Sequence, residues 1–229
     1  DGISNHISEE KEVALNIVIF DFCETLVDLQ TADDYVHFVL KNDNDLKGML
    51  KFKFYKSLFY RVLAKLSFVC SPKLPILKLL KGKKYEKLDE YGKEYIEYIT
   101  REKSNININK ALKDAKLDGA SIFIISGGYD IYIKHFLPDY IDLLICTELD
   151  FQNQFFSGEI KGLDCLGLNK LKKLYEKFPK HDFLRAKTSF YTDHISDLPL
   201  LKIVDKPFVV TSHRDLTWAL SNKFEIVEK

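Results

Sequence analysis

Short apolar runs of strand length alternate with longer stretches of helical periodicity along most of the chain. The first run, residues 13–20, reads Val-Ala-Leu-Asn-Ile-Val-Ile-Phe and is nearly continuous rather than alternating. Such a run is typical of a strand that is covered on both faces. Similar runs occupy residues 121–125, 141–146, 188–192 and 208–210, and residues 224–227 are expected to add an edge strand.

Helical spacing characterises the segments between these runs. Apolar residues recur at intervals of three or four late in the chain, with lysines on the opposite face: Leu168, Leu171, Leu174, Tyr175 and Phe178. Buried strands that alternate with helices indicate an α/β fold with a doubly wound, Rossmann-like parallel sheet.

The region between the first two strands is expected to be almost entirely helical. One predicted helix carries Leu50, Phe54, Leu58, Val62 and Leu66 on one face, and a later one carries Leu88, Tyr91, Tyr95 and Ile99. Residues 70–75 interrupt the pattern, because proline stops or kinks a helix. We therefore predict a core α/β domain of residues 1–30 and 104–229, with an inserted helical cap domain of residues 31–103.

Charge is balanced overall but unevenly distributed. The chain has 34 basic and 34 acidic residues, which does not suggest a nucleic-acid-binding protein. Residues 47–87, however, contain twelve Lys or Arg and a single acidic residue, Glu86. This basic stretch is either an ordinary solvent-exposed surface, a site for a polyanionic substrate, or a surface that docks on an anionic membrane through the amphipathic residues 58–69.

Cysteine usage and hydropathy favour a reduced, cytoplasmic setting. Cys23, Cys70, Cys146 and Cys165 are scattered, so they predict neither a zinc site nor a disulfide scaffold. The first twelve residues are polar and acidic, unlike a secretory signal. No apolar run reaches the roughly 20 residues that a spanning helix needs. We expect a soluble protein, or at most one associated with a membrane surface.

Four polar clusters follow predicted strands or open a helix. Asp21 lies directly after the first strand, within residues 20–26, and Ser126, Gly127 and Gly128 end the second. Lys170 lies in the first turn of the helix after Gly167, and residues 191–200 contain Asp193 and Asp197. Ligands of open α/β sheets bind beyond the carboxyl ends of the strands, so these clusters are expected to meet at one edge.

The clusters suit phosphoryl transfer. Transfer to the carboxylate of Asp21 brings two anions together, so a cation must neutralise them. Asp21 and Asp193 can supply the one or two carboxylates that Mg²⁺ usually takes. Ser126, with the amides of Gly127 and Gly128 opening a helix, offers donors to a phosphate, and Lys170 adds a positive charge.

In order, spacing and context, the four clusters resemble the motifs of the haloacid dehalogenase superfamily, and within it the phosphoserine-phosphatase-like branch. The resemblance spans about residues 13–227. It implies a Mg²⁺ cofactor, a nucleophilic Asp21 that forms an aspartyl-phosphate, and the backbone carbonyl of Cys23 as a further metal ligand. Thr25 would donate to the phosphate or orient Asp21, and Asp197 would hold Lys170 or a metal-bound water. The inserted helices would form a mobile cap.

One position departs from the family pattern. Family phosphatases carry an Asp two residues after the nucleophile, which protonates the leaving group; here Cys23 occupies it and Glu24 follows. Loss of general-acid help can cost about 10²–10⁴ in rate. Three interpretations remain open. The leaving group is acidic, such as a phosphate, acyl phosphate or anomeric phosphate; Glu24 or His194 supplies the proton; or turnover is lost and phosphate binding retained.

Three functions follow from these observations. The first is a Mg²⁺-dependent phosphatase or phosphotransferase acting on a small or anionic phosphorylated molecule. The second is a catalytically impaired phospho-ligand-binding protein, and the third is a membrane-surface phosphatase of lipid-linked phosphates. His194 is expected to line the pocket, whereas His37, His135 and His181 show no constellation and are expected to be structural.

Overall fold

The computed structural model describes residues 15–57, 73–211 and 215–229, and a six-stranded sheet lies at its centre. The strands of the chain are β1 Asn16–Phe20, β2 Ser121–Tyr129, β3 Leu143–Thr147, β4 Leu149–Gln152, β5 Phe155–Ile160, β6 Lys187–Thr192, β7 Lys206–Val210 and β8 Glu225–Val227. The central sheet has the order β3-β2-β1-β6-β7-β8, and every neighbouring pair is parallel. The predicted doubly wound α/β fold is confirmed.

Helices cover the sheet and fill the long connection after β1. They are α1 Thr31–Asn42, α2 Leu46–Lys56, α3 Lys73–Leu77, α4 Tyr85–Lys103, α5 Ile106–Leu117, α6 Asp130–Ile133, α7 Leu168–Lys177, α8 Lys180–Arg185, α9 Leu198–Leu201 and α10 Thr217–Ser221. No helix in the described ranges is long and apolar enough to cross a bilayer.

The first strand shows why the apolar runs are continuous. Ile17 and Ile19 belong to one buried cluster, while Val18 and Phe20 belong to another. Successive side chains of a strand point to opposite faces of the sheet, so both faces of β1 are covered. The strand was predicted from Val13; Val13 and Ala14 lie outside the described residues.

The connection from β1 to β2 is helical, as predicted. Of the two helices predicted to have an apolar face, one buries that face and the other does not. Leu88, Tyr91, Tyr95 and Ile99 of α4 are all buried, as expected. The expected apolar face of α2 is wrong in its described part, because Leu50 and Phe54 are exposed. Leu58, Val62 and Leu66 lie outside the described residues, as does the amphipathic segment 58–69.

The predicted interruption at residues 70–75 falls partly outside the described chain. From Lys73 onward the chain forms α3, which includes Pro75. Proline is tolerated in the first turn of a helix because its missing N–H has no intrahelical acceptor there. Pro75 thus lies in the first turn of a helix, and the predicted interruption before Lys73 lies outside the described residues.

The insertion packs against the sheet rather than standing apart from it. Its helices share one buried cluster with Val18, Phe20 and Ile122 of the sheet. Helix α4 lies so near α6 at Gly92 that a Cβ atom there would lie 2.4 Å from the carbonyl oxygen of Ile131. The division into a core domain and a cap domain stays a prediction.

A β-hairpin between β3 and α7 was not predicted. β4 and β5 pair in antiparallel fashion through a turn at Asn153 and Gln154, whose φ angles are 49° and 70°. Positive φ at both central residues is typical of a type I′ hairpin turn. The hairpin also bonds to the insertion, since the Phe156 N–H donates to the Lys83 carbonyl over 2.9 Å.

Helix α7 has the predicted position but not the predicted faces. Leu168 is exposed, whereas Lys170 and Lys173 are buried. The pattern placed Lys173 on the face opposite the apolar residues, and the structure buries it; Lys170, expected in the candidate site, is buried as well. The cysteines of the described residues, Cys23, Cys146 and Cys165, are free thiols.

Candidate active site

A cavity of about 340 Å³ opens at the carboxyl edge of the sheet. Its walls come from the loop after β1, the end of β2, the start of α7 and the loop after β6. They consist of Asp21, Cys23, Gln30, Ala32, Gly127, Leu166, Lys170, Asp193, His194, Ser196 and Asp197. Seven of the ten predicted site residues thus meet in one cavity, which we call the catalytic cavity.

Asp21 is held at the end of the central strand β1. Its backbone N–H donates to the Tyr191 carbonyl of neighbouring β6 over 2.9 Å. The Phe22 N–H donates to Asp21 Oδ1 over 2.7 Å, and Lys170 Nζ lies 3.2 Å from the same oxygen. Burial raises the pKa of Asp21 to about 6, against the lowering effect of Lys170 and with a further increase from Asp197.

Lys170 links two carboxylates below the cavity. Its Nζ donates to Asp197 Oδ2 over 2.6 Å, and the Thr192 hydroxyl donates to the same oxygen over 2.6 Å. Burial lowers the pKa of Lys170, but the charges of Asp197 and Asp21 outweigh it and raise the pKa overall. Lys170 therefore stays protonated and carries a full charge at the cavity wall.

Asp193 and His194 follow β6 and complete the polar wall. Asp193 is buried and lines the cavity. The Ser196 backbone N–H donates to His194 Nδ1 over 3.1 Å. Since Nδ1 accepts this bond, the neutral imidazole carries its proton on Nε2.

The thiol of Cys23 ends a chain of buried hydroxyl groups. Cys23 Sγ lies 2.9 Å from Thr31 Oγ1, which lies 2.7 Å from Tyr132 Oη. Burial, followed by the charge of Asp21, raises the pKa of Cys23 above its usual value despite hydrogen bonds from Thr31 and Ser126. The thiol is therefore protonated at neutral pH.

Several predicted residues lie behind the cavity wall. Ser126, Gly128 and Thr25 do not line the catalytic cavity. The Gly128 N–H donates to Ser126 Oγ over 3.2 Å, and the buried Thr25 hydroxyl has no hydrogen-bond partner among the described residues. Their contact with a phosphate stays a prediction.

The expected helix start at the glycines is wrong. β2 continues through Gly127 and Gly128 to Tyr129, and α6 begins at Asp130 and has only four residues. Packing accounts for Gly128 independently of any ligand, because a Cβ atom there would lie 2.6 Å from Tyr132 Oη.

Sequence reasoning missed three buried side chains that support the site. Thr31 and Tyr132 contact Cys23 directly or through one hydroxyl, and Thr192 holds Asp197. Thr192 stands beside Asp193 in the fourth cluster, so its position was a usable signal. Thr31 and Tyr132 are separated by 101 positions, and no local pattern joins them.

The cavity has an excess of negative charge that suits a cation. Asp21, Asp193 and Asp197 line it together with one lysine, Lys170. Asp197 Oδ1 is buried and has no hydrogen-bond partner among the described residues. No cluster of three or more His, Cys, Asp or Glu able to hold a metal ion occurs within those residues. Mg²⁺ usually takes only one or two carboxylates, with water and substrate oxygens, and this donor set fits it.

Solved structures share the fold over more than nine-tenths of the chain. A protein of unknown function from Bordetella pertussis Tohama I superposes with a TM-score of 0.78 and 15% identity, over 93% of this chain and 98% of that one. A phosphoserine phosphohydrolase-like protein from Francisella tularensis subsp. tularensis SCHU S4 has a TM-score of 0.60 and 18% identity, over 93% and 95%. A substrate-bound phosphoserine phosphatase has a TM-score of 0.57 and 20% identity, over 94% and 93%.

Sequence comparison leads to the same family. No curated protein matches the chain in sequence. The model of the haloacid dehalogenase-like hydrolases matches residues 18–202, which include Asp21, Lys170, Asp193 and Asp197. The predicted superfamily and the phosphoserine-phosphatase-like fold are confirmed, and so is the hydrolase class. The chain belongs to the haloacid dehalogenase-like hydrolase family.

Proposed function

We propose that this hydrolase is a Mg²⁺-dependent phosphatase that transfers the phosphoryl group of a small phosphorylated molecule to Asp21. The observation that supports this most is the buried carboxylate of Asp21 in the cavity wall, 3.2 Å from the Lys170 ammonium. A carboxylate between a backbone N–H and a lysine is oriented and can attack without first moving.

The reaction has two steps on this carboxylate. A carboxylate oxygen of Asp21 attacks phosphorus, the bond from phosphorus to the leaving oxygen breaks, and that oxygen keeps the electron pair and takes a proton. Water then attacks the aspartyl-phosphate, which releases phosphate and restores the carboxylate. Lys170, one of the residues lining the cavity, neutralises part of the phosphate charge in both steps.

The residues that would hold the metal are Asp21, Asp193 and the backbone carbonyl of Cys23. Asp197 has a buried oxygen, Oδ1, to accept from a metal-bound water, while its other oxygen holds Lys170. A bound Mg²⁺ would neutralise the charge that attacking carboxylate and phosphate bring together. A carbonyl ligand is independent of its side chain, so the cysteine at position 23 is compatible with this set.

The positions of the candidate side chains limit which of them can donate a proton to the leaving group. Cys23 and His194 line the catalytic cavity, whereas Glu24 does not. We therefore favour His194 over Glu24 as the neighbour that supplies a proton, and an acidic leaving group as the alternative that needs none.

Phosphate release tests the proposal. Purified protein is incubated with a panel of phosphate esters, with Mg²⁺ or with a chelator, beside the variants Asp21→Asn and Asp182→Asn. Asp182 is an exposed carboxylate on α8 and serves as the matched control. We expect Mg²⁺-dependent release that falls by at least about 10⁴-fold in Asp21→Asn, as for other covalent nucleophiles, and stays unchanged in Asp182→Asn. Release that survives in Asp21→Asn would exclude Asp21 as the nucleophile.

A catalytically impaired phosphate-binding protein is the second candidate, and Cys23 favours it. Its raised pKa makes the thiol a weaker proton donor than the carboxyl group found there in family phosphatases. Calorimetry with inorganic phosphate and Mg²⁺ separates the two candidates. Binding without release of phosphate from any ester would establish the second candidate in place of the first.

A further inference from the structure

A second cavity adjoins the catalytic cavity. It has a volume of about 110 Å³ and shares three wall residues with the catalytic cavity, namely Ala32, Gly127 and Leu166. We call it the apolar cleft. Because these three residues border both spaces, the cleft lies next to the place where a phosphate would sit in the catalytic cavity.

The walls of the cleft are mostly hydrocarbon. Leu74 and Leu77 come from α3 of the insertion, and Ile160 comes from the end of β5 in the hairpin. Leu166 and Tyr129 complete the apolar lining. A water molecule needs roughly 10–15 Å³ of such a volume, so the cleft accommodates a group of several heavy atoms.

Two polar side chains of the cleft, those of Thr147 and Asp164, already have protein partners. The Thr147 hydroxyl donates to the Gly127 carbonyl over 3.2 Å and accepts from the Cys165 N–H over 3.0 Å. Asp164 Oδ1 accepts from the Asn169 amide over 2.8 Å. A polar ligand group would therefore lose water without gaining many hydrogen bonds, and such a loss is unfavourable.

Charge in the cleft disfavours an anionic leaving group. Asp164 lines it, and no Lys, Arg or His is present among the described residues that do so. A leaving group that carries a carboxylate and no cation would meet the like charge of Asp164 and no counter-charge. An uncharged apolar group is not repelled by Asp164 and loses no hydrogen bonds to water.

We propose that the apolar cleft binds the leaving group, so that the substrates are phosphate esters whose leaving group is uncharged and apolar. This inference rests on the proposed phosphatase function and names the substrate class of the same site. The phosphate lies in the catalytic cavity near Asp21 and Lys170, and the apolar group lies against Leu74, Leu77 and Ile160.

A series of para-alkylphenyl phosphates tests the inference. The methyl, ethyl and propyl compounds differ in apolar length while the acidity of the phenol stays nearly constant. Each buried methylene is worth enough to raise kcat/KM roughly three- to fourfold, and we expect that increase until the cleft is full. The para-carboxymethyl and para-isobutyl groups have the same number of heavy atoms and nearly the same shape, and we expect kcat/KM of the carboxymethyl compound to be at least about tenfold lower than that of the isobutyl compound. Equal values for these two compounds would overturn the inference.

Two variants and one control locate the effect. Leu74→Asn and Ile160→Asn each change a residue that lines the cleft but not the catalytic cavity. We expect both to flatten the dependence on chain length. Leu163→Asn changes an exposed leucine outside both cavities and should keep that dependence. Circular dichroism establishes that each variant is folded, and a steep dependence in both folded cleft variants would contradict the assignment.

Binding measurements separate this inference from the proposed function. Alkylphosphonates resist hydrolysis, so calorimetry with methyl-, propyl- and hexylphosphonate reports on the cleft even if no ester is turned over. Affinity that rises with chain length supports the inference, and affinity independent of length overturns it. Among esters, turnover of phosphatidic acid in detergent micelles would support a lipid as the source of this chemistry. Turnover of the soluble esters alone would support a small molecule.

Discussion

The carboxyl edge of the sheet and helix α2 depart from the usual distribution of polar and apolar residues in opposite directions. At the sheet edge, Asp21, Lys170 and Asp197 are at most 6% exposed. On α2, Leu46 and Leu50 are 77% and 68% exposed. Charged residues are seldom buried unless they are paired, whereas single exposed apolar residues are common.

The difference between the two regions lies in how strongly their residues depend on one another. Lys170 is within 3.2 Å of one carboxylate and 2.6 Å of another, so the lysine reduces the cost of burying both carboxylates and they reduce the cost of burying the lysine. The described part of α2 buries only Gly48 and forms no comparable network. We therefore expect a substitution at the sheet edge to alter the interactions of several residues, and a substitution on α2 to alter the interactions of few.

The largest expected effect on stability comes from Lys170→Met. It leaves the buried carboxylates of Asp21 and Asp197 without their counter-charge, which we expect to lower the free energy of unfolding by about 3–5 kcal/mol. Lys173→Met is the matched control one turn along α7, because buried Lys173 donates to the carbonyl oxygens of Cys146 and Leu163 and its Nζ lies 4.0 Å from the partly exposed carboxylate of Glu148. Urea denaturation of both variants measures the difference. Equal losses would show that burial alone, and not the ionic network, decides the effect.

Asp21→Asn should have the opposite effect and increase the free energy of unfolding. The pKa of Asp21 is raised from 3.8 to about 6 in the folded protein, so the folded state binds this proton more tightly than the unfolded chain. The free energy of unfolding therefore falls as pH rises from about 4 to about 6. Above about pH 6 the folded protein bears the full cost of burying the charged carboxylate. We expect the metal-free variant to be about 1–3 kcal/mol more stable than the native chain at pH 7.

Denaturation at two pH values checks this sign. The gain of Asp21→Asn should shrink as pH falls from 7 towards 4, because Asp21 itself becomes neutral there. Asp182→Asn, an exposed change, should show no such trend. A native chain that is more stable than Asp21→Asn at pH 7 without metal would contradict the expectation.

A smaller effect is expected from Tyr132→Phe, which removes one hydroxyl from the buried chain that ends at Cys23. Thr31 keeps its contact with Cys23 but loses the partner 2.7 Å away. We expect a loss of about 0.5–1.5 kcal/mol in the free energy of unfolding. Tyr98→Phe, at an exposed tyrosine of α4, is the control. Equal shifts of the melting temperature in both variants would show that the hydroxyl chain does not contribute to stability.

The smallest effect should come from Leu50→Ser on α2. An exposed side chain outside any network typically changes stability by no more than about 0.5 kcal/mol. Leu88→Ser, at a fully buried leucine of α4, should cost at least about 2 kcal/mol. Urea denaturation of the pair sharpens the comparison: a loss at Leu50 as large as that at Leu88 would show that this face of α2 is covered in solution.

Much of the fold was predictable because periodicity reports burial directly. The buried runs before Asp21 and before Ser126 became the neighbouring strands β1 and β2, and the apolar positions of α4 at intervals of three or four became part of its buried face. The hairpin β4–β5 was missed since its strands are short and its turn residues, Asn153 and Gln154, lack the glycine that commonly indicates such a turn.

The sequence by itself determined the α/β class, the order of the four clusters and the identity of Asp21, Lys170, Asp193 and Asp197 as neighbours. Parallel strands end at a common edge, so residues that follow them must converge. Only the tertiary structure decided which lysines of α7 are buried, that Thr31 and Tyr132 support Cys23, and that an apolar cleft adjoins the catalytic cavity. These features depend on contacts between segments far apart in the chain, and local periodicity does not encode such contacts.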